Sequence, residues 1–315
     1  MNSFVRLLLS APIDFAVGGQ AVIEGVMMRS PHFYTVSVRD PQGNLQMRQA
    51  PFKSLLERFP ILKWPLIRGV VQLVESMMIG FRALNYSNDV FSGIEEKEHT
   101  GWRKWAWTAF GIAYTLLSLS FTLFLLKFLP LWVAEKASEI WPVVDQHYML
   151  FNAIDGSTKI AIFLAYLGLI SLLQDIRRVF QYHGAEHKSI WAYEHHLPLT
   201  VENARKQSRF HPRCGTSFIF IVILMSVFVY TAIPPAEHFW GMLAERLAVI
   251  PLIAGISYEL LKFSAKHQKN PLVRFLVAPG LFLQKITTRE PDDAQLEVAL
   301  HSLKASLEVE RLPVL

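Results

Sequence analysis

The chain has 315 residues, 52% of them hydrophobic and only 18% charged, against about 25% charged in soluble proteins. A mean hydropathy of +0.27, with 22 Phe and 8 Trp, excludes a disordered chain and points to a membrane protein with a polar portion. One cysteine excludes a disulfide scaffold, and a net charge of +5 with a pI near 9.2 suits an anionic lipid surface without requiring nucleic acid.

At the amino terminus Arg6 precedes Leu7-Leu8-Leu9, but Pro12 and Asp14 end that run before it reaches the length of a secretory signal. Next comes Gly18-Gly19-Gln20-Ala21-Val22-Ile23-Glu24-Gly25-Val26-Met27-Met28-Arg29-Ser30-Pro31, an apolar run with flanking glycines, one carboxylate and a terminal arginine. Glycine lets a backbone approach a neighbour closely. The Lys and Ser/Thr of a phosphate-binding loop are missing, so the segment reads as a tight loop or buried strand. Phe33–Arg39 has the β-branched and aromatic bias of a strand, Asp40–Asn44 is a turn, and Leu45–Gln49 returns as a second strand. From Lys53 to Asn85 the pattern is helical and apolar, with a break expected at Trp64-Pro65. Arg68, Gln72 and Glu75 form one narrow polar face there, as in a helix lying on the membrane or packed against its spans.

Four spans are expected. Trp105–Leu126 and Gly215–Ala236 are uncharged and long enough for a core about 30 Å thick. Ile160–Gln174 is shorter, and so is Leu247–Tyr258, which Glu259 interrupts before Leu260 and Leu261. Phe275–Gln284 is broken by Pro279-Gly280 and reads as interfacial or re-entrant. Pro291–Glu308 places Leu296, Leu300, Leu303 and Leu307 on one stripe, an amphipathic helix suited to docking. The fold class is thus mainly α: a polytopic helical membrane protein with about four transmembrane helices and a small α+β amino-terminal segment. Three regions follow, 1–100 cytoplasmic or interfacial, 101–285 transmembrane with a cytoplasmic loop at 175–214, and 286–315 cytoplasmic.

Basic residues set the orientation. Arg177, Arg178, Lys188, Arg205, Lys206, Arg209 and Arg213 crowd the 175–214 loop, Lys262, Lys266, Lys269 and Arg274 follow the fourth span, and Arg103 and Lys104 precede the first. The other connections hold Lys127 and Lys136 amid acidic residues, and Arg246. Both termini are therefore expected in the cytoplasm of an inner-membrane protein.

Three segments carry chemistry. In Tyr182-His183-Gly184-Ala185-Glu186-His187-Lys188, a helix continuing past Arg178 puts His183 and His187 one turn apart, able to share one metal ion beside Glu186. His-x-x-Glu-His is also the inverted zincin pattern, in which the glutamate activates water at the metal; the ordinary alternative is a pair of surface histidines. His211-Pro212-Arg213-Cys214 sets His and Cys three apart in a turn, a donor set that suits zinc, although a lone cysteine is more often a small buried hydrophobe. Glu259 in an apolar span needs a partner or a cavity, since a charge at a span centre costs about 2.5–3.5 kcal/mol. The orientation brings all three segments to the cytoplasmic face.

These motifs resemble the YqhQ-like family of bacterial membrane proteins. The resemblance rests on Gly18–Arg29, His183–Lys188, His211–Thr216, Gly255-Ile256-Ser257-Tyr258-Glu259, Pro279–Gln284 and Thr287–Pro291, in the family's order along nearly the whole chain. It implies a metal-dependent enzyme and leaves the reaction unnamed.

The leading expectation is a membrane enzyme holding a divalent metal, zinc by its donors, through His183, His187 and Cys214, with His211 or Glu259 as a fourth ligand. Glu186 serves as general base in a hydrolytic reaction, and Glu24 and Arg29 complete the site. A membrane-embedded or lipid-linked substrate fits the location. The rival is a closed, structural metal cluster in an accessory factor for membrane-protein biogenesis or translocation, with a membrane-protein partner. A transporter is disfavoured because no inverted repeat is visible.

Overall fold

The structure, a computed structural model, describes residues 17–93, 102–212, 214–267 and 270–311. The reading of Arg6–Asp14 and the assignment of Arg213 and Lys269 to the cytoplasm lie outside them. Four strands, β1 (Gly18–Val22), β2 (Gly25–Arg29), β3 (Phe33–Arg39) and β4 (Leu45–Pro51), form an antiparallel meander in sequence order. The glycine-flanked run is therefore a hairpin, closed at Val22↔Gly25 with Glu24 at the turn.

Strand alternation decides what each face of the sheet meets. Val26 and Met28 point one way, toward α7 (Gln174–Glu194) and α13 (Asp293–Arg311), where they join Tyr182, Ala185, Leu296, Leu300 and Leu303 in one core. Met27, Val36 and Val38 point the other way, onto Ile79 and Ala83 of α2 (Ile67–Ser92). The amphipathic carboxy-terminal helix thus docks on the amino-terminal sheet, with all four leucines of its stripe buried. Each contributes about 1.5–3 kcal/mol by burial.

Before α2 lie α1 (Leu55–Arg58) and a 3-10 turn at Pro60–Lys63, and the chain breaks at Trp64-Pro65 as expected. The polar face of α2 is occupied throughout. Arg68 makes a two-pronged ion pair with Glu259, Tyr258 donates to Gln72 at 2.6 Å, and Glu75 accepts from the Leu55 N–H at 2.6 Å. The opposite side of α2 exposes Met77, Met78 and Phe81.

The apolar helices follow. α3 (Trp102–Leu123) runs through a π-helical turn, Phe124–Phe128, into α4 (Leu129–Ile140). Pro130, which has no N–H to offer the carbonyl four residues back, explains irregular winding there. After α5 (Pro142–Gln146) come α6 (Tyr148–Ile170) and then α7. The carboxy-terminal half holds α8 (Val201–Arg205), α9 (Gly215–Thr231), α10 (Phe239–Ala248), α11 (Ile250–Lys266) and α12 (Pro271–Thr287).

Among the described residues two helices are long and apolar enough to cross a membrane, Thr108–Ile140 and Tyr148–Ile170. A third is available if Phe239–Ala248 and Ile250–Ser264, which meet at a 44° bend, act as one span. The expected span at Gly215–Ala236 is a 17-residue helix, about 25 Å long. The second span also begins earlier than expected. Its helix starts at Tyr148 because Asp155 and Lys159, which look like interruptions in the sequence, pair with each other at 2.5 Å inside the bundle. That helix ends at Ile170 and does not continue past Arg178. Ser171–Leu173 is a break, and the His-x-x-Glu-His motif sits on the separate helix α7.

Candidate metal centre

Three segments build the site around α7. The face bearing Phe180, Gly184 and Lys188 docks on the linker ahead of α13: the Arg289 N–H donates to the Phe180 carbonyl at 2.8 Å, and Lys188 reaches Glu290 at 2.7 Å. Gly184 permits this approach, since a Cβ there would lie 2.1 Å from the Arg289 carbonyl oxygen. On the next face His183 and His187 stand one helical turn apart, their ring centroids separated by 4.4 Å.

Backbone carbonyls fix both rings. His183 Nδ1 lies 2.8 Å from the Thr287 carbonyl and His187 Nδ1 lies 2.6 Å from that of Arg209. A carbonyl oxygen only accepts, so Nδ1 carries a proton in each ring, and in the neutral ring Nε2 is the nitrogen with the lone pair. Cys214, buried at the start of α9, sets its Sγ 3.2 Å from His183 Nε2. The three ligand atoms lie within 4.8 Å of one another. Two imidazoles with Nδ1 tied to a carbonyl, plus a sulfur, form a donor set suited to a soft divalent ion.

Glu186 flanks this group, its Oε2 3.7 Å from His187 Nε2 and 4.0 Å from His183 Nε2. The backbone of β1 supports it: the Gly19 N–H donates to the carboxylate, and a Cβ at Gly19 would stand 2.6 Å from Glu186 Cγ. Burial raises the Glu186 carboxyl above its ordinary range, while burial lowers His187 and favours the neutral, ligand-ready ring.

His211 lines the same small cavity without joining the three-atom group. Gln284 of α12 grips its backbone on both sides at 2.8 Å, its ring packs on Trp191, and burial pushes its pKa down to about 4.

Three other expected participants stand elsewhere. Glu259 is held by Arg68, and Glu24, at φ 49°, by Arg178 and by the Tyr182 hydroxyl at 3.3 Å. Arg29 lies over the Phe52 ring and 3.7 Å from Glu75. The reading of the residues did not single out Gly19, Thr287, Arg209 or Gln284 as supports of the site. Gly19, Thr287 and Arg209 contribute backbone groups, which leave no side-chain signal, whereas Gln284 contributes its side-chain amide to a partner 73 residues away.

The cavity holding His183, Glu186, His187 and Cys214 is about 100 Å3. Beside it a groove of about 920 Å3 runs between α2, α7, α9 and α11, sharing Gly19, His183, Cys214 and Gly215 with the cavity. Leu73, Phe81, Leu84, Val222 and Ile253 make its walls largely apolar.

A family model described as Protein of unknown function (DUF1385) matches residues 64–309. The uncharacterized protein YqhQ of Bacillus subtilis (strain 168) is 36% identical over 304 residues, an overlap covering 94% of each chain. No solved structure matches.

Proposed function

The chain belongs to the DUF1385 family, and we propose that it is a metal-dependent membrane hydrolase whose site faces the cytoplasm. One observation carries this reading: two histidines with fixed tautomers converge with Cys214 beside a buried glutamate, at the mouth of an apolar groove. His183, His187 and Cys214 hold the ion, zinc by donor type. Such an ion supplies Lewis acidity to a carbonyl or phosphoryl group and makes water easier to deprotonate. Glu186 takes the proton from the attacking water and returns it to the leaving group, a role suited to a carboxyl raised by burial. Gly19 orients Glu186, the Thr287 and Arg209 carbonyls orient the rings, and the groove receives the apolar part of a membrane-embedded or lipid-linked substrate. His211, beside the group in the same cavity, positions the Cys214 turn through the Gln284 grip.

A second reading has its own observation. The Glu186 carboxylate is close enough to both Nε2 atoms to act as a fourth ligand. A closed, four-ligand centre is structural, a staple joining α7 to α9 in an accessory factor for membrane-protein biogenesis or translocation.

Metal analysis of the purified protein separates these readings. Wild type is expected to carry about one zinc per chain and His187→Ala none. In the hydrolase, Glu186→Gln keeps its zinc while function in a deletion strain falls by roughly 10²–10⁴-fold, the usual contribution of general acid–base catalysis. In the staple, Glu186→Gln releases zinc. A metal-free wild type overturns both. Cysteine labelling at Ser138 in a Cys214→Ser background checks orientation; a label reacting only from the cytoplasm would reverse it.

A further inference from the structure

A second buried polar cluster lies at the opposite end of α9 from Cys214, within the apolar helices. Among the described residues Asp155 is its only acid, and it holds both Lys159 and Arg246 at 2.5 Å. Arg246 also donates to Asn152 at 2.6 Å. Lys127, in the π-helical turn, donates to the Tyr230 hydroxyl at 2.9 Å. Among the described residues no carboxylate lies within 4.0 Å of the Lys127 ammonium. All three cations crowd one aromatic ring: Arg246 Cζ, Lys159 Nζ and Lys127 Nζ are 4.6, 4.9 and 5.6 Å from the Tyr230 centroid. One carboxylate therefore faces three cations in an environment where unbalanced charge is costly.

Lys127 also forms part of the wall of the large apolar groove, whose other end opens on the candidate metal centre. A π-helical turn inside a span is rare and recurs at functional sites. The groove volume of about 920 Å3 is at the upper end of small-molecule sites, about 300–1,000 Å3.

We infer that the groove binds an amphiphile with a long apolar chain and an anionic phosphate headgroup, the headgroup meeting Lys127 and the chain lying along α9 toward Cys214. Lys159 and Arg246 stand behind Lys127, and their excess positive charge selects an anion over a neutral headgroup. The inference rests on the groove proposed above as the apolar binding site; because the phosphate sits at the far end of α9 from Cys214, the amphiphile is a bound ligand of the groove and not the bond cleaved at the candidate metal centre.

The test is calorimetric titration of the full-length protein in dodecyl maltoside, with dodecyl phosphate and inorganic phosphate as separate probes and zinc content read on each preparation. Dodecyl phosphate is expected to bind saturably and at least about tenfold tighter than inorganic phosphate. Lys127→Gln is expected to weaken it about tenfold or more, Lys127→Arg to retain it, and Val222→Trp, which fills the groove far from the cations, to abolish it. Should Lys127→Gln fail to fold, the arginine and tryptophan variants decide. Equal affinity for inorganic phosphate assigns the cluster to a free anion and overturns the proposal, as does undiminished binding in Lys127→Gln or Val222→Trp. Absence of dodecyl phosphate binding to zinc-loaded wild type removes this inference alone, whereas binding to a wild type that carries no zinc keeps this inference and removes both metal readings.

Discussion

The two polar clusters at the ends of α9 solve the burial of polar groups in opposite ways. Around His183, His187 and Cys214 the groups are lone-pair donors, and protein carbonyls have already taken the ring protons. Around Asp155 the groups are mostly proton donors, three cations sharing one carboxylate and one phenol. The first arrangement invites a cation and the second an anion, although both are walled by apolar helices. What a buried cluster accepts depends on whether lone pairs or hydrogens remain once internal partners are counted.

The sharpest way to break the contrast is Arg246→Ala. It removes one of the two cations that hold the buried Asp155, leaves Lys159 as the close counter-charge, unpairs the Asn152 side-chain oxygen and opens a cavity where a large buried side chain stood, an expected loss of about 3–5 kcal/mol. Thermal unfolding in detergent measures it, and zinc content at the other end of α9 is expected to stay at the wild-type level in the fraction that remains folded. If zinc falls in step with folding of the far cluster, the two are one unit and the contrast fails.

The next effect is a pH dependence at the neutral cluster. His211 has a folded pKa of about 4 against an ordinary 6.5, so the unfolded chain binds the proton first as pH falls. Its stabilisation is complete above pH 6.5 and is lost between 6.5 and about 4, roughly 3 kcal/mol in total. His187, also lowered, acts in the same direction, while Glu186, raised by burial, acts in the opposite one. Metal-free protein is therefore expected to melt at a lower temperature at pH 5 than at pH 7, with a smaller difference in His211→Gln. An unchanged difference assigns the titration elsewhere.

A smaller effect tests how tightly the supporting backbone is set. Gly184→Ala drives a Cβ into the Arg289 carbonyl, so α7 and the linker must part, at an expected cost of about 1–3 kcal/mol. Because the linker adjoins the Thr287 carbonyl that holds His183, zinc affinity should fall with stability. Stability lost at unchanged zinc affinity would show that the ring is held by other means.

Much of this was legible in the chain. The β3–turn–β4 hairpin, the break at Trp64-Pro65, the leucine stripe of α13 and the i, i+4 histidine pair all follow from local periodicity and turn chemistry. Local patterns misplaced the second span, because Asp155 and Lys159 read as charges until a helix brings them together with Arg246. They also point Glu259 toward the proposed metal site, although Arg68, 191 residues away in sequence, claims it. Periodicity reports which face a residue occupies, and that much the sequence alone determined. Partnership between residues far apart in the chain depends on how helices cross and where backbone carbonyls point, and only the tertiary structure decided it.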